Sequence, residues 1–332
     1  MSFFSNKNIL ITGATGFLGS HIFFKLYEEG ANVICTTHDS KPFNYLTAGN
    51  TKDINVLSLD INNLSRIREI ISDYEIDYIF HCSAKAIVKN CVNDPITCFK
   101  TNIIGTANIL EASRQVGGVK GIMVMESDKS YGSFDDSDLP YREDQGIKPK
   151  NIYEVSKACA GLIAESYAHN FNIPVFTIRA ANLYGPGDIN TSRLIPGSIL
   201  RLLTGRSPIL YSGVANYIRE FLYVEDAARA IIMLMKNIDI TKSEIINLGS
   251  GTTMKIAEVI EHITKNIDKN IAPVIIEKDA SFIEIEKQYL DLSKMKKLLP
   301  KFSHTSFESG VKNTIEWYGR YKDNIASPKD FK

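Results

Sequence analysis

The chain has 332 residues, enough to bury a large core in one big domain or two coupled ones. Its 38 basic and 38 acidic residues cancel, so nothing in the charge points to a nucleic-acid or membrane surface, and any anion site must be built from local charges. Cys35, Cys82, Cys91, Cys98 and Cys159 are odd in number and form no CxxC pair, which reads as reduced structural thiols. The N-terminus lacks the basic start and apolar run of a signal peptide, and no stretch reaches the ~18 apolar residues of a membrane span. The expectation is a soluble, cytoplasmic protein.

Ile9 to Thr12 is an apolar run, too short for a helix and rich in branched side chains, and reads as a buried strand. GATGFLG follows (Gly13 to Gly19), then a helical stretch from Phe17 to about Glu29. Gly13 and Gly16 let the backbone turn sharply and approach a ligand, and Gly19 lets the helix close on the strand. The helix start offers unpaired N–H groups and a positive dipole end to a pyrophosphate. A second strand, Asn32 to Thr37, ends in Thr36-Thr37-His38-Asp39. An acidic residue near this point would hold the ribose hydroxyls of NAD; the nearest is Asp39, and no arginine stands there for a 2′-phosphate, which favours NAD over NADP.

Val56 to Ile61 is a third strand with Asp60 at its carboxyl end, where the carboxylate could also cap a helix from Ser65 to Tyr74. Asp77 to His81 is a fourth, running into HCSAKAIV; His81 reads as structural rather than catalytic. Pro95 to Val116 reads as one long amphipathic helix. Lys120 to Glu126 is a fifth strand, and Ser127 to Gly132 lies at its carboxyl end, the edge of an open parallel sheet where ligands bind. Alternating strand and helix predict a doubly wound parallel α/β sheet. Beyond about residue 180 the pattern loosens into Gly- and Pro-rich loops, with helices expected over Val224 to Met235 and Lys255 to Lys265.

Tyr153 and Lys157 are four apart and share one helical face. A lysine beside a tyrosine favours the phenolate, lowering its pKa from ~10 toward working pH. A phenolate can take the proton of a substrate alcohol while hydride leaves the same carbon for a nicotinamide. Ser127 supplies a hydroxyl that would hydrogen-bond the same oxygen.

The GxxGxxG spacing, followed by Ser127 and the Tyr153/Lys157 pair, resembles the extended branch of the short-chain dehydrogenase/reductase superfamily. Within it, the chain resembles the NAD-dependent epimerase/dehydratase family and most of all the CDP-glucose 4,6-dehydratases. That resemblance implies a Rossmann-like domain over residues 1–180. Residues 181–332 would then be mainly a nucleotide-sugar lobe, with some segments returning to the first domain. It implies NAD contacts from Gly13, Thr15, Gly16, Phe17, Leu18, Gly19, Asp39, Asp60, Ile61, Ser83, Ala84, Lys85, Asn102, Tyr153 and Lys157. Asp60 would lie beside the adenine, the HCSAKAIV backbone would pass close to the cofactor, and Asn102 would sit behind the active site. It further implies a homodimer paired through Pro95 to Val116 and Tyr153 to His169.

The triplet Ser127-Asp128-Lys129, in ESDKSYG, matches the Asp-Lys of CDP-glucose dehydratases. There Lys129 would remove the C5 proton of a 4-keto sugar while Asp128 protonates the departing C6 hydroxyl. RAANLYGPGDINTSRLIP resembles the same enzymes, with Asn182 and Arg193 matching residues that meet the substrate. YIREFLYVEDAARA resembles epimerases and places Arg219 for a diphosphate oxygen; on the residues alone, Arg219 could equally be a surface arginine paired with Glu220 or Glu225. Lys85 stands where the dehydratases have glutamine, and Glu126 replaces a small residue just before Ser127. Two other readings stay open: a nucleotide-sugar 4-epimerase in which Asp128 and Lys129 only line the pocket, and a non-catalytic dinucleotide-binding regulator. The base could be CDP, dTDP, GDP or UDP.

Overall fold

The computed structural model describes residues 2–38, 43–49, 54, 56–277 and 285–325. The apolar runs of the first half become parallel strands β1 (Asn8–Thr12), β2 (Asn32–Thr37), β3 (Val56–Ser58), β4 (Tyr78–His81), β5 (Gly121–Met125) and β6 (Val175–Ala180). After them come β7 (Asn182–Tyr184), β8 (Ile209–Tyr211), β9 (Ile218–Tyr223), β10 (Ile245–Leu248), β11 (Thr253–Lys255), β12 (Val274–Ile276) and β13 (Lys287–Gln288). Seven strands form one sheet in the order β10-β6-β5-β4-β1-β2-β3, every neighbour parallel. The order reverses between β1 and β4, so a crevice opens there at the carboxyl edge, where doubly wound sheets take their ligands.

Helices cover both faces, which is why the central strands are apolar throughout rather than alternating. Phe17–Glu28 and Val224–Lys236 seal one face; Leu64–Asp73, Gly105–Val116 and Ile152–Phe171 seal the other. β10 comes from the second half yet completes the first half's sheet. The remaining lobe is built on β9, flanked by β11 antiparallel and by β7 and β13 parallel, with a core that includes Tyr184, Ile199, Val259 and Tyr318. No helix among the described residues is long and apolar enough to cross a membrane.

Two local expectations are corrected. The helix predicted over Pro95 to Val116 is α-helical at Pro95–Phe99 and Gly105–Val116 but π-helical at Lys100–Ile104. The extra residue accompanies a tight approach at Gly105, where a Cβ would fall 2.6 Å from Cγ2 of Ile61. The Thr106 hydroxyl donates to the Asn102 carbonyl at 2.7 Å, a side-chain bond inserted into the ladder. Asp60 does not cap the following helix: Asn63 does, accepting from Arg66 N at 3.0 Å, because the helix begins at Leu64. Asp60 instead accepts from the backbone and side chain of Asn62, bonds that hold its carboxyl below its ordinary range.

Candidate active site

The glycine turn is as tight as its sequence demands. Gly13 has φ of +68°, and a Cβ on it would sit 2.9 Å from Ser83 N; one on Gly19 would sit 2.4 Å from Gly13 O. The helix Phe17–Glu28 starts at Gly16 with no side-chain cap and no acidic residue in its first turn. Its amides are therefore free to meet an anion. Thr15 Oγ1 lies 2.9 Å from Thr37 Oγ1, tying the turn to the end of β2. Ser83 N donates to Thr12 Oγ1 at 3.2 Å, which brings the segment after β4 against the same turn. Leu18 is buried, Phe17 and Ala84 are partly exposed, and the Lys85 side chain is exposed. Ile61 is buried against Gly105 and accepts from Asn108 at 3.1 Å. Asp39 lies outside the described residues.

His81 is a structural residue: its Nδ1 is 2.7 Å from Thr12 Oγ1 and its Nε2 3.1 Å from Thr106 Oγ1, and burial pushes its pKa down to about 3. Asn102 is 1% exposed and turned toward protein. Its Oδ1 accepts from Lys85 N at 2.8 Å, and its Nδ2 donates to Lys85 O at 3.1 Å and to Ser156 Oγ at 2.9 Å. Ser156 Oγ in turn donates to Tyr153 O at 2.8 Å. Asn102 thus braces the loop after β4 and the helix that carries Tyr153 and Lys157 with one amide. Ser156, which sequence reasoning did not single out, is the link; a serine mid-helix is too common to be a signal.

Asn151 fixes where that helix begins. Its Oδ1 accepts from Tyr153 N at 3.0 Å while Glu154 reaches back to Asn151 N at 3.1 Å, a capping box that sets the rotation of Tyr153 and Lys157. Lys157 Nζ donates to the Met125 carbonyl at 2.7 Å, and burial lowers its pKa to about 8. Burial pushes Tyr153 up to about 12, and the Ser127 hydroxyl and the charge of Arg193 oppose this. The ammonium is turned to the end of β5, and the phenol is 8% exposed.

Ser127 and Asp128 follow β5 after one intervening residue, Glu126. Ser127 Oγ donates to Asp128 Oδ1 at 3.1 Å and accepts from Lys129 N at 3.2 Å, so the hydroxyl, acid and lysine form one tight turn. Asp128 is 2% exposed, its Oδ2 has no hydrogen-bond partner, and burial raises its pKa from 3.8 to about 6. Lys129 is partly exposed.

From the lobe, Asn182 Nδ2 donates to Glu220 O at 3.2 Å. Arg193 is the first residue before the helix Leu194–Leu203 and is paired with Asp188 at 2.9 Å. Arg219 is 3% exposed, which rules out the surface pair with Glu220 or Glu225. Its guanidinium donates to the carbonyls of Ile218, Ile285 and Glu286, while Glu220 accepts from Gly251 N at 2.7 Å and Leu290 N at 2.9 Å.

A glycine-cradled, uncapped helix start at the switch point of a parallel sheet, with serine, tyrosine and lysine on neighbouring elements, defines an extended short-chain dehydrogenase/reductase. The chain belongs to the NAD dependent epimerase/dehydratase family, whose model matches residues 9–249. NAD is the cofactor, and the cradle, closed to any side chain at Gly13 and Gly19, fits its pyrophosphate. Among relatives, the chain is 29% identical over 326 residues to a trifunctional UDP-glucose 4,6-dehydratase/3,5-epimerase/reductase of Arabidopsis thaliana, covering 96% of this chain and 48% of that one. It thus spans about half the length of the plant proteins it matches. It is 27% identical over 341 residues to the dTDP-glucose 4,6-dehydratase of Salmonella typhimurium, covering 93% and 92%. The UDP-glucose 4-epimerase of Thermotoga maritima, solved with UDP-glucose, superposes with a TM-score of 0.85 at 27% identity, covering 95% and 99%.

Proposed function

We propose that the chain is a nucleotide-sugar 4,6-dehydratase, with CDP-glucose the first substrate to try. The observation that carries this is Asp128: a fully buried carboxyl, held near pKa 6 by desolvation, with one oxygen unpartnered beside Ser127. An acid of that strength keeps about a tenth of its protons at neutral pH, far more than an ordinary aspartate, and can give its proton to a leaving hydroxyl.

Gly13, Gly16 and Gly19 would hold the NAD pyrophosphate, and NAD, when bound, supplies a hydride acceptor that gives the hydride back within one turnover. Ser127 and Tyr153 hold the C4 hydroxyl, and Tyr153 takes its proton as C4 becomes a ketone. The ketone acidifies C5, whose proton passes to Lys129. The C5–C6 double bond forms as the C6–O bond breaks, and Asp128 protonates the leaving oxygen to give water. Hydride ends at C6 and a proton at C5. Asn182, Arg193 and Arg219 are assigned to the nucleotide diphosphate and sugar.

Incubation with a panel of nucleotide-hexoses, with products identified by mass, tests the reading. Loss of water from one of them is expected; a product of unchanged mass and altered stereochemistry would replace it with the 4-epimerase. That second reading draws on the likeness to the Thermotoga epimerase. The proposal includes a cytoplasmic homodimer. Val92, Ile96, Ile104 and Leu162 are exposed apolar side chains on the helical layer that would pair. A monomeric mass by light scattering at micromolar concentration would remove the dimer.

A further inference from the structure

Glu126, the residue that stands out just before the Ser127 turn, is not a surface feature. Its backbone N–H donates to Ile178 O at 2.9 Å, continuing the β5–β6 ladder, and its side chain is wholly buried. Oε2 accepts from Nε of Arg179 at 3.0 Å, in a pair whose side chains are 0% and 3% exposed. The Arg179 guanidinium is covered by the Tyr131 ring at 4.6 Å, and Tyr131 is fixed by a 2.8 Å bond from its hydroxyl to Asn247. On its other side the carboxylate fills the room of a missing side chain. A Cβ on Gly161 would lie 2.7 Å from Oε2, and Gly161 is one turn beyond Lys157 on the same helical face. The second oxygen, Oε1, has no hydrogen-bond partner. A buried carboxylate thus lies against the helix that carries Lys157, one residue past the carbonyl that Lys157 grips.

We propose that Glu126 is a positioning residue for the reaction: clamped by Arg179 and seated on the Gly161 notch, it supplies the counter-charge that keeps Lys157 an ammonium ion. A lone buried ammonium costs several kcal/mol, and a neighbouring carboxylate offsets that cost. The other titratable groups around Lys157 do not supply the charge. His81 and Cys82 face it from the end of β4, Cys91 from the helix Val88–Asn93 and Cys98 from Pro95–Phe99. The Cys82 and Cys91 thiols are each pushed up to about 12 by burial, and His81 is neutral. Burial pushes the Glu126 carboxyl up as well, but Arg179 opposes it, and the Glu126 charge raises Lys157.

The inference rests on Tyr153 and Lys157 as the acid–base pair, a feature shared by dehydratase and epimerase, so its tests use no water loss. The first is NMR titration of 13C-labelled lysine in the full chain, with the Lys157 signal assigned by Lys157→Met. Glu126→Gln should lower the Lys157 titration, since loss of a neighbouring opposite charge disfavours the ammonium. The second is the pH profile of C4 oxidation. Its alkaline limb should move to lower pH by the same amount, with the rate below that limb within a few-fold of the parent, and Glu126→Asp should move it back. Removing one member of a buried pair destabilises, whereas replacing both with groups of similar volume is tolerated. The double variant Glu126→Gln, Arg179→Met therefore keeps the test alive if the single one does not fold, and it should shift Lys157 in the same direction by a smaller amount, because a neighbouring cation is lost with the carboxylate. An unmoved Lys157 titration in either variant overturns the proposal. So does a loss of rate that is equal at every pH and tracks a lowered melting temperature, which is what a purely structural pair would give. If no nucleotide sugar is turned over but the titration shifts, the substrate reading fails and the role of Glu126 stands.

Discussion

In the parallel sheet, four of the groups assigned to cofactor and chemistry sit within two residues of a strand's carboxyl end: Gly13 after β1, Asp60 after β3, Ser83 after β4 and Ser127 after β5. Strand ends at a switch point are fixed by the sheet's own hydrogen bonds, so these residues are placed by local sequence. In the lobe around β9 the opposite holds. Arg219 is held by carbonyls 66 and 67 residues away, Glu220 by amides 31 and 70 residues away, and Asn182 by the strand beside it. The first region presents chemistry on a rigid edge. The second takes its shape from long-range contacts and is where nucleotide and sugar would be selected. A substitution in the first should change rates, and one in the second should change which substrate binds and how tightly.

Tyr153→Phe breaks this contrast most sharply if it fails. Loss of a general acid–base group costs on the order of 10²–10⁴ in rate, and NAD binding and the melting temperature should stay near the parent values. A variant within a few-fold of the parent would remove Tyr153 from the mechanism. NAD should also lower the Tyr153 titration by about 1–3 pH units from its free value near 12, through the charge of the oxidised ring. Ultraviolet difference titration of parent against Tyr153→Phe, with and without NAD, measures it, and an unmoved titration would contradict it.

Asp128→Asn and Lys129→Met separate the two enzymatic readings. Both should slow water loss severely while C4 oxidation persists, seen as bound NADH on mixing with substrate. In an epimerase both should stay within roughly tenfold of the parent, about 1.4 kcal/mol. The Asp128 change should also stabilise the fold, with a definite pH dependence. A carboxyl whose folded pKa is raised from 3.8 to about 6 is penalised once ionised, so stability falls as pH rises between those values. Relief of that penalty is about 3 kcal/mol above pH ~6 and vanishes below pH ~4. Denaturant melts at the two ends of that window measure it; equal gains at both would show that the carboxyl is not desolvated.

Gly19→Ala should cost about 1–3 kcal/mol of stability, because a methyl 2.4 Å from Gly13 O must force the helix off the strand, and NAD affinity should fall with it. Calorimetric NAD titration would expose a cradle looser than described if affinity is kept. The smallest expected effect on rate is in the lobe. Arg193→Met removes the ion pair with Asp188, whose side chain is 3% exposed, so it should also lower the melting temperature. It should raise KM for the nucleotide sugar more than it lowers kcat, and a fall in kcat alone would move Arg193 into the chemistry.

The contrast also explains what the sequence made legible. Gly13 to Gly19, the strand-helix alternation and the capping at Asn151 are short-range signals, and the sheet and its catalytic edge follow from them. The direction of Lys157 was not legible, since helical spacing brings two side chains to one face but does not say which carbonyl lies nearer. Nor was the burial of Arg219, which depends on a strand distant in sequence, or the Glu126–Arg179 pair, whose members sit on adjacent strands 53 residues apart. Glu126 was visible only as an unusual residue in its place.

The π turn at Lys100–Ile104 carries one residue more than an α-helix would, and in angular terms one residue is about 100° of rotation. Everything before Gly105, including Cys91 and Cys98 packed beneath Tyr153, is therefore phased against everything after it by that single insertion. Deleting one residue there would leave a smoother and longer helix with every side chain chemically intact. It would also swing those thiols off the tyrosine and turn Asn102 from the backbone of Lys85. Chain length in this stretch is as constrained as any functional side chain, so a relative that braces its catalytic helix differently should differ here first by a gap.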